Sequence, residues 1–209
     1  MRRAPAIGFA PLAAAVGASP PDDVADEVTA AILDAATAVL AQAGLRHCTV
    51  EEIAEHGGLG RTTIYRRFDG RDDLIHAVLA REVRRAFAAI VAAVAHLDRP
   101  EDRVVEGMLA GLRAAEASPL IPLFRSEPEL MRLLTAESGP LIQVAVDFLV
   151  TEDERTTGRK PTARNRHTAE LLVRLAASLV ITPQGSLPLH DEAAARRALH
   201  DLLDPLLAR

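Results

Sequence analysis

An all-α fold follows from three observations on this 209-residue chain. Apolar residues recur at three- and four-residue spacing along most of its length. No run of β-branched residues alternates with period two, and proline and glycine cut the chain into pieces of helical length. Aromatic residues are 3% of a chain that is 49% hydrophobic, so Ala, Leu and Val must fill the core and the helices must approach closely. The segments predict a small three-helix head, a long connecting helix and a larger helical C-terminal part.

Residues 1–22 begin with Arg2 and Arg3 and have an apolar middle, like a weak export signal, but Pro5, Gly8, Pro11 and Gly17 interrupt it. The stretch is too short and broken to span a membrane and is expected to be a disordered tail, with Arg2 and Arg3 a conceivable minor-groove arm. A first helix is expected over residues 23–43, with Val28, Ile32, Leu33, Ala36, Val39 and Leu40 on one face and Gly44 ending it. Thr49 with Glu52 matches a capping box, and Val50, Ile53 and Ala54 supply the inner face of a short second helix. Gly57-Gly58 breaks that helix, and Leu59 is expected to plug the turn. In the third helix Ile64 and Phe68, four apart, face inward together, which leaves Arg61, Thr62, Thr63, Tyr65, Arg66 and Arg67 outward or at the seam. A fourth helix is expected over 71–94, opened by Asp72 and Asp73, on the order of 35 Å long and closed by Pro100.

Residues 49–68 therefore form a helix-turn-helix, the arrangement that puts a short polar helix into the DNA major groove. Between Arg61 and Arg71 stand four Arg against one acid, Asp69, and guanidinium groups suit phosphate and the guanine edge. A compact αα-corner with an exposed basic helix also occurs in proteins that never meet DNA, and Arg replaces Lys throughout this chain, where Lys160 is the only lysine. The clustering therefore says more than the residue type.

Residues from about Asp26 to Ala86 resemble the N-terminal DNA-binding domain of the TetR family of transcriptional regulators. The resemblance is carried by ILDAATAVLAQAGL at 32–45, TVEEIAEHGGLGRTTIYRRF at 49–68 and DGRDDLIHAVL at 69–79. It implies domains at 23–86 (DNA-binding) and 87–209 (ligand-binding and dimerisation). By position it implies that Thr49 meets phosphate and that Arg61, Thr62 and Thr63 lie at the start of the recognition helix. It implies that the Tyr65 hydroxyl reaches phosphate, that Arg66 and Arg67 grip backbone or base edges, and that Arg71 meets phosphate at the start of the fourth helix. Two positions depart from the family pattern. Gly60 replaces the usual Ser cap, and Thr62 stands where Gly or Ala is common.

The C-terminal part is expected as helices over 101–117, 127–136, 138–149, 163–181 and 191–208. Bends are expected at Pro119 and Pro122, and a polar break at 151–161. Ligands of helical domains lodge between helices in apolar cavities with a few polar anchors. The candidate lining is Met108, Leu112, Phe124, Met131, Leu134, Val144 and Phe148, with Arg113, Gln143 and His167 as anchors. Plain core packing is the rival reading for each. Leu171, Leu172, Leu175 and Leu179 make one apolar stripe, and Leu199, Leu202, Leu203 and Leu206 another. Two such helices can pack onto their own domain; the resemblance implies instead that they pair with a second subunit in a four-helix bundle.

The chain has no GxSxG, phosphate-loop, CxxC or HExxH motif, so neither an enzyme nor a cofactor is expected. The net charge of −5 excludes a generally basic coat but permits a local basic patch. Cys48 stands alone, which fits a reducing cytoplasm. The expected function is a ligand-responsive repressor that binds a palindromic operator as a homodimer, with an unidentified small-molecule effector and no membrane partner. The alternative is a helical ligand-binding or interaction protein of the same fold that has lost specific DNA binding.

Overall fold

The computed structural model describes residues 26–128, 130–131 and 139–207. The tail at 1–22 and the candidate pocket residue Leu134 lie outside them, as does most of the helix expected at 127–136. The described residues form nine helices and no strand. They are α1 (Glu27–His47), α2 (Val50–Gly57), α3 (Arg61–Tyr65), α4 (Arg71–Val94), α5 (Pro100–Ala117), α6 (Ile121–Ser126), α7 (Gly139–Thr157), α8 (Ala163–Ile181) and α9 (Glu192–Leu207). The fold is all-α, and α4 has the bounds expected from its stripe.

The chain packs as two units. Among the described residues, one holds 26–84 together with 118–128, 130–131 and 139–144; the other holds 85–117 and 145–207. In the first unit Asp26 caps α1 by accepting the Thr29 N–H at 2.7 Å. Ile32, Leu33, Ala36, Val39 and Leu40 are buried, whereas Val28 is exposed, because it lies within the first turn, ahead of the packed face. Gly44 takes φ 76° and ψ 176°, a left-handed break that a Cβ would oppose. α4 is fixed to α1 by Arg81, whose side chain is 3% exposed and lies 2.8 Å from Asp34 Oδ1. Its guanidinium also donates to Thr37 Oγ1 at 2.9 Å. Leu74, Ile75, Val78 and Leu79 complete the core beneath the head.

In the second unit Val105, Met108 and Leu109 of α5 form a buried cluster with Ala195, Leu199 and Leu203 of α9. Arg196 of α9 pairs with Glu106 of α5 and with Glu192, the latter at 2.7 Å. That pairing lowers the Glu106 pKa, chiefly through the hydrogen bond from Arg196. Thr162 and Asn165 make a reciprocal capping box at the start of α8, and Asp191 accepts the Ala194 N–H at 3.0 Å ahead of α9.

Two expected boundaries are corrected. Pro100 does not close the long helix, which has already ended at Val94; it opens α5, a position where its missing N–H costs nothing. The polar break placed at 151–161 begins later, because α7 runs on to Thr157. Arg155 pairs with Glu152 at 2.7 Å, and Thr156 and Thr157 turn their hydroxyls back to the carbonyls of Glu152 and Asp153. Polar residues continue a helix when they satisfy one another at three- and four-residue spacing.

Candidate nucleic-acid interface

α2 begins at the capping box expected from the sequence. The Glu52 N–H donates to Thr49 Oγ1 at 3.2 Å, and the Thr49 N–H donates to Glu52 Oε2 at 3.1 Å. The Thr49 hydroxyl also donates to that carboxylate, so its proton is engaged within the helix cap. Gly58 ends α2 at φ 61° and ψ 30°, the left-handed cap that glycine adopts without strain. The Leu59 N–H returns to the Ala54 carbonyl at 2.8 Å, closing the turn.

α3 has five residues and no side-chain cap at Gly60. A helix this short does not persist alone. It is held because Ile64 is fully buried and Phe68 is 8% exposed, each burial contributing roughly 1.5–3 kcal/mol. With those two side chains turned inward, the opposite face is set. Arg61, Thr62, Tyr65 and Arg66 are exposed, Tyr65 by 54%, and Thr63 is half-buried at the edge. The nearest carboxylate to Arg61 is Glu51 at 3.5 Å, with both side chains more than half exposed. That pair is weak and open to exchange with a phosphate. Arg61, Glu51 and Glu55 share a shallow groove of about 400 Å³ beside the turn.

The remaining two arginines of the predicted contact set are engaged inside the head. Arg67 donates to Asp26 Oδ2 at 2.9 Å and to Thr29 Oγ1 at 3.0 Å. The Asp26 carboxyl is held down to about 2, by the Thr29 backbone N–H first and by Arg67 second. Arg71 donates through Nε to the Cys48 carbonyl at 2.6 Å and through Nη2 to the Leu45 carbonyl, and its Nη1 lies 2.9 Å from Asp72. Cys48 itself is fully buried, and burial pushes its thiol up to about 11, so at neutral pH it is protonated and serves as packing. Among the described residues no group of three His, Cys, Asp or Glu side chains is placed to hold a metal ion.

The candidate pocket residues divide between the units. Phe124, Met131, Gln143 and Val144 belong to the first; Met108, Leu112, Arg113, Phe148 and His167 belong to the second. Met108 sits in the α5–α9 core with Leu112 against it, and Phe148 stacks on Phe87 with ring centroids 4.4 Å apart. Gln143 and His167 are exposed, and Arg113 pairs with Glu192 at 3.1 Å. The predicted dimer stripe is also sorted. Leu199 and Leu203 are buried in the unit's own core with Leu172 and Leu179 packed against it. Leu171, Leu175, Leu202 and Leu206 are 68%, 37%, 57% and 63% exposed. Arg81 and Glu127 carry no local signal in the sequence, because their partners lie far away in the chain.

Two family models together match most of the chain. Residues 32–78 match the family model for bacterial regulatory proteins of the tetR family. Residues 98–205 match the model for the bacterial tetracyclin repressor C-terminal domain. An uncharacterized HTH-type transcriptional regulator of Mycobacterium tuberculosis is 27% identical over 181 residues, covering 84% of this chain and 83% of that protein. The TetR family repressor AlkX from Dietzia sp. strain DQ12-45-1b, implicated in biodegradation of n-alkanes, has a similar structure. Its TM-score is 0.63 at 25% identity, covering 86% of this chain and 94% of AlkX. The fatty acid degradation regulator FadR from Bacillus halodurans shares the fold at TM-score 0.55 and 18% identity, covering 86% and 95% of the two chains.

Proposed function

This chain belongs to the TetR family of bacterial transcriptional regulators with a helix-turn-helix DNA-binding domain, and from that premise we propose that it is a ligand-responsive repressor that binds a palindromic operator as a homodimer. The observation that carries the reading is the outer face of α3, where Arg61, Thr62, Tyr65 and Arg66 are exposed and Ile64 and Phe68 anchor the helix from behind. Those four side chains form the proposed contact surface, with Thr63 at its edge. Thr49 at the α2 N-terminus donates to phosphate only if its hydroxyl proton leaves Glu52. Arg67 and Arg71 support the surface from inside the head and touch phosphate only if they exchange their present partners.

The exposed leucines 171, 175, 202 and 206 support a two-fold partner, since four large apolar side chains on the last two helices lack cover within one chain. Paired heads would reach successive major grooves roughly 34 Å apart. A small apolar effector entering the helices of the second unit would favour a head arrangement that mismatches this spacing. It must bind that state more tightly for repression to be relieved. Because AlkX is implicated in n-alkane biodegradation, alkyl chains are the first effector class to test. The cytoplasm is the proposed setting.

The uncapped Gly60 and the inward Arg67 and Arg71 favour a second reading, in which the fold is kept and specific DNA binding lost. Selection from a random duplex library decides between them: enrichment of an inverted repeat is expected, and enrichment of no sequence leaves the second reading standing.

A further inference from the structure

The stretch between α1 and α2 is met by a side chain from far along the chain. Gly44 leaves helical backbone geometry inside α1, and the Leu45 N–H is the first donor after that kink. It donates to Glu127 Oε1 at 2.9 Å, 82 residues away. A Cβ on Gly44 would lie 2.6 Å from that same oxygen. The missing side chain at 44 therefore serves both the left-handed backbone and the approach of the carboxylate. From the other side Arg71 donates to the carbonyls of Leu45 and Cys48. The joint at 44–48 is thus held by an anion on its N–H and a cation on its carbonyls, and it leads directly into Thr49, the cap of α2.

Glu127 sits on a fixed base. Leu120, Leu123 and Leu130 around it are buried, its own N–H donates to the Leu123 carbonyl at 3.0 Å, and Ser118 donates to Glu82 of α4 at 2.6 Å.

We infer that Glu127 is a positioning residue for DNA recognition: it fixes the 44–48 joint, and with it the pose of α2 and α3. The inference rests on the DNA-binding reading above. The test uses the full chain, the variants E127A, E127Q and E127D, and the duplex that the wild-type protein selects from a random library. E127A is expected to weaken binding about 10-fold or more, the loss that follows from removing a charge-assisted hydrogen bond. The slope of log Kd against log salt is expected to stay unchanged, since no phosphate contact is removed. E127Q, which keeps an oxygen at the same reach, is expected within about threefold of wild type. E127D, which is too short, should resemble E127A and serves as the loss variant if E127A does not fold.

Hydrogen exchange supplies an arm that needs no DNA. E127A or E127D is expected to speed exchange at Leu45 and through 50–65 while α8 and α9 are unaffected. If the wild type selects no duplex, the DNA reading fails and this arm still judges the joint. The inference is overturned by binding within twofold of wild type in the loss variant, by tighter binding, by a changed salt slope, by E127Q no better than the loss variant, or by unchanged exchange at 45–65.

Discussion

Replacing Arg71 with Ala is expected to destabilise the head while leaving the ionic-strength dependence of DNA binding unchanged. The guanidinium donates to two backbone carbonyls, Cys48 at 2.6 Å and Leu45, and contacts Asp72. A hydrogen bond from a charged donor contributes about 1.5–3 kcal/mol. The Arg71 side chain is 24% exposed, so water recovers part of that loss, and the half-exposed Asp72 pair adds little. The net cost is about 2–4 kcal/mol. For a chain of this size that corresponds to a fall in Tm on the order of 10 °C. Thermal melts followed by circular dichroism measure it, and binding titrations between 50 and 200 mM salt measure the slope. Arg66→Ala is the control. Its side chain is exposed, so its Tm should barely move, and its salt slope should fall by about 0.9 if it holds one phosphate. An R71A protein that melts with the wild type and loses about 0.9 in slope refutes the structural role given to Arg71.

Three further outcomes are expected. Leu202→Glu combined with Leu206→Glu, both at exposed positions on α9, should convert a dimer to monomer in sedimentation at micromolar concentration; a wild type that is already monomeric contradicts the dimer. Gly107→Ala should raise stability by about 0.5–1 kcal/mol in denaturant unfolding, because a Cβ there meets Ile90 and Val94 at 3.5 Å, ordinary contact distance; a loss of stability would show that the α4–α5 packing has no room. The Asp26 carboxyl, ordinarily near 3.8, titrates near 2 in the folded chain, so its contribution is complete above about pH 4 and is lost as pH falls toward 2. Melts from pH 5 to pH 2 should therefore show a shallower acid limb for Asp26→Asn than for wild type, and parallel limbs would remove the Arg67–Asp26 contact from the account.

The parts of the fold legible in the sequence are those set by local rules. The Thr49–Glu52 box, the Gly58 turn and the Ile64–Phe68 pair depend on residues within a few positions of one another, and each is found where the pattern put it. The α4 bounds follow for the same reason. Pro100 was ambiguous because proline punctuates a chain in the same way whether it ends one helix or opens the next. The division of the leucines on α8 and α9 was not legible, because a stripe at three- and four-residue spacing states that a face is apolar and not what covers it. Arg81, Arg71 and Glu127 were least accessible. Their partners lie 44, 23 or 26, and 82 residues away, and a charged residue in a helical pattern reads the same whether it faces water or a backbone carbonyl across the core.

On the function proposed above, the outer face of α3 reads a DNA sequence. Fluorescence anisotropy with the selected duplex and a scrambled duplex of equal length, for wild type and for Arg61→Ala combined with Arg66→Ala, tests it most directly. Wild type is expected to prefer the selected duplex by about 10³-fold or more, and the double variant to lose most of that preference with its Tm unchanged. Equal affinity of the wild type for both duplexes, or a double variant that keeps the full preference, would contradict it.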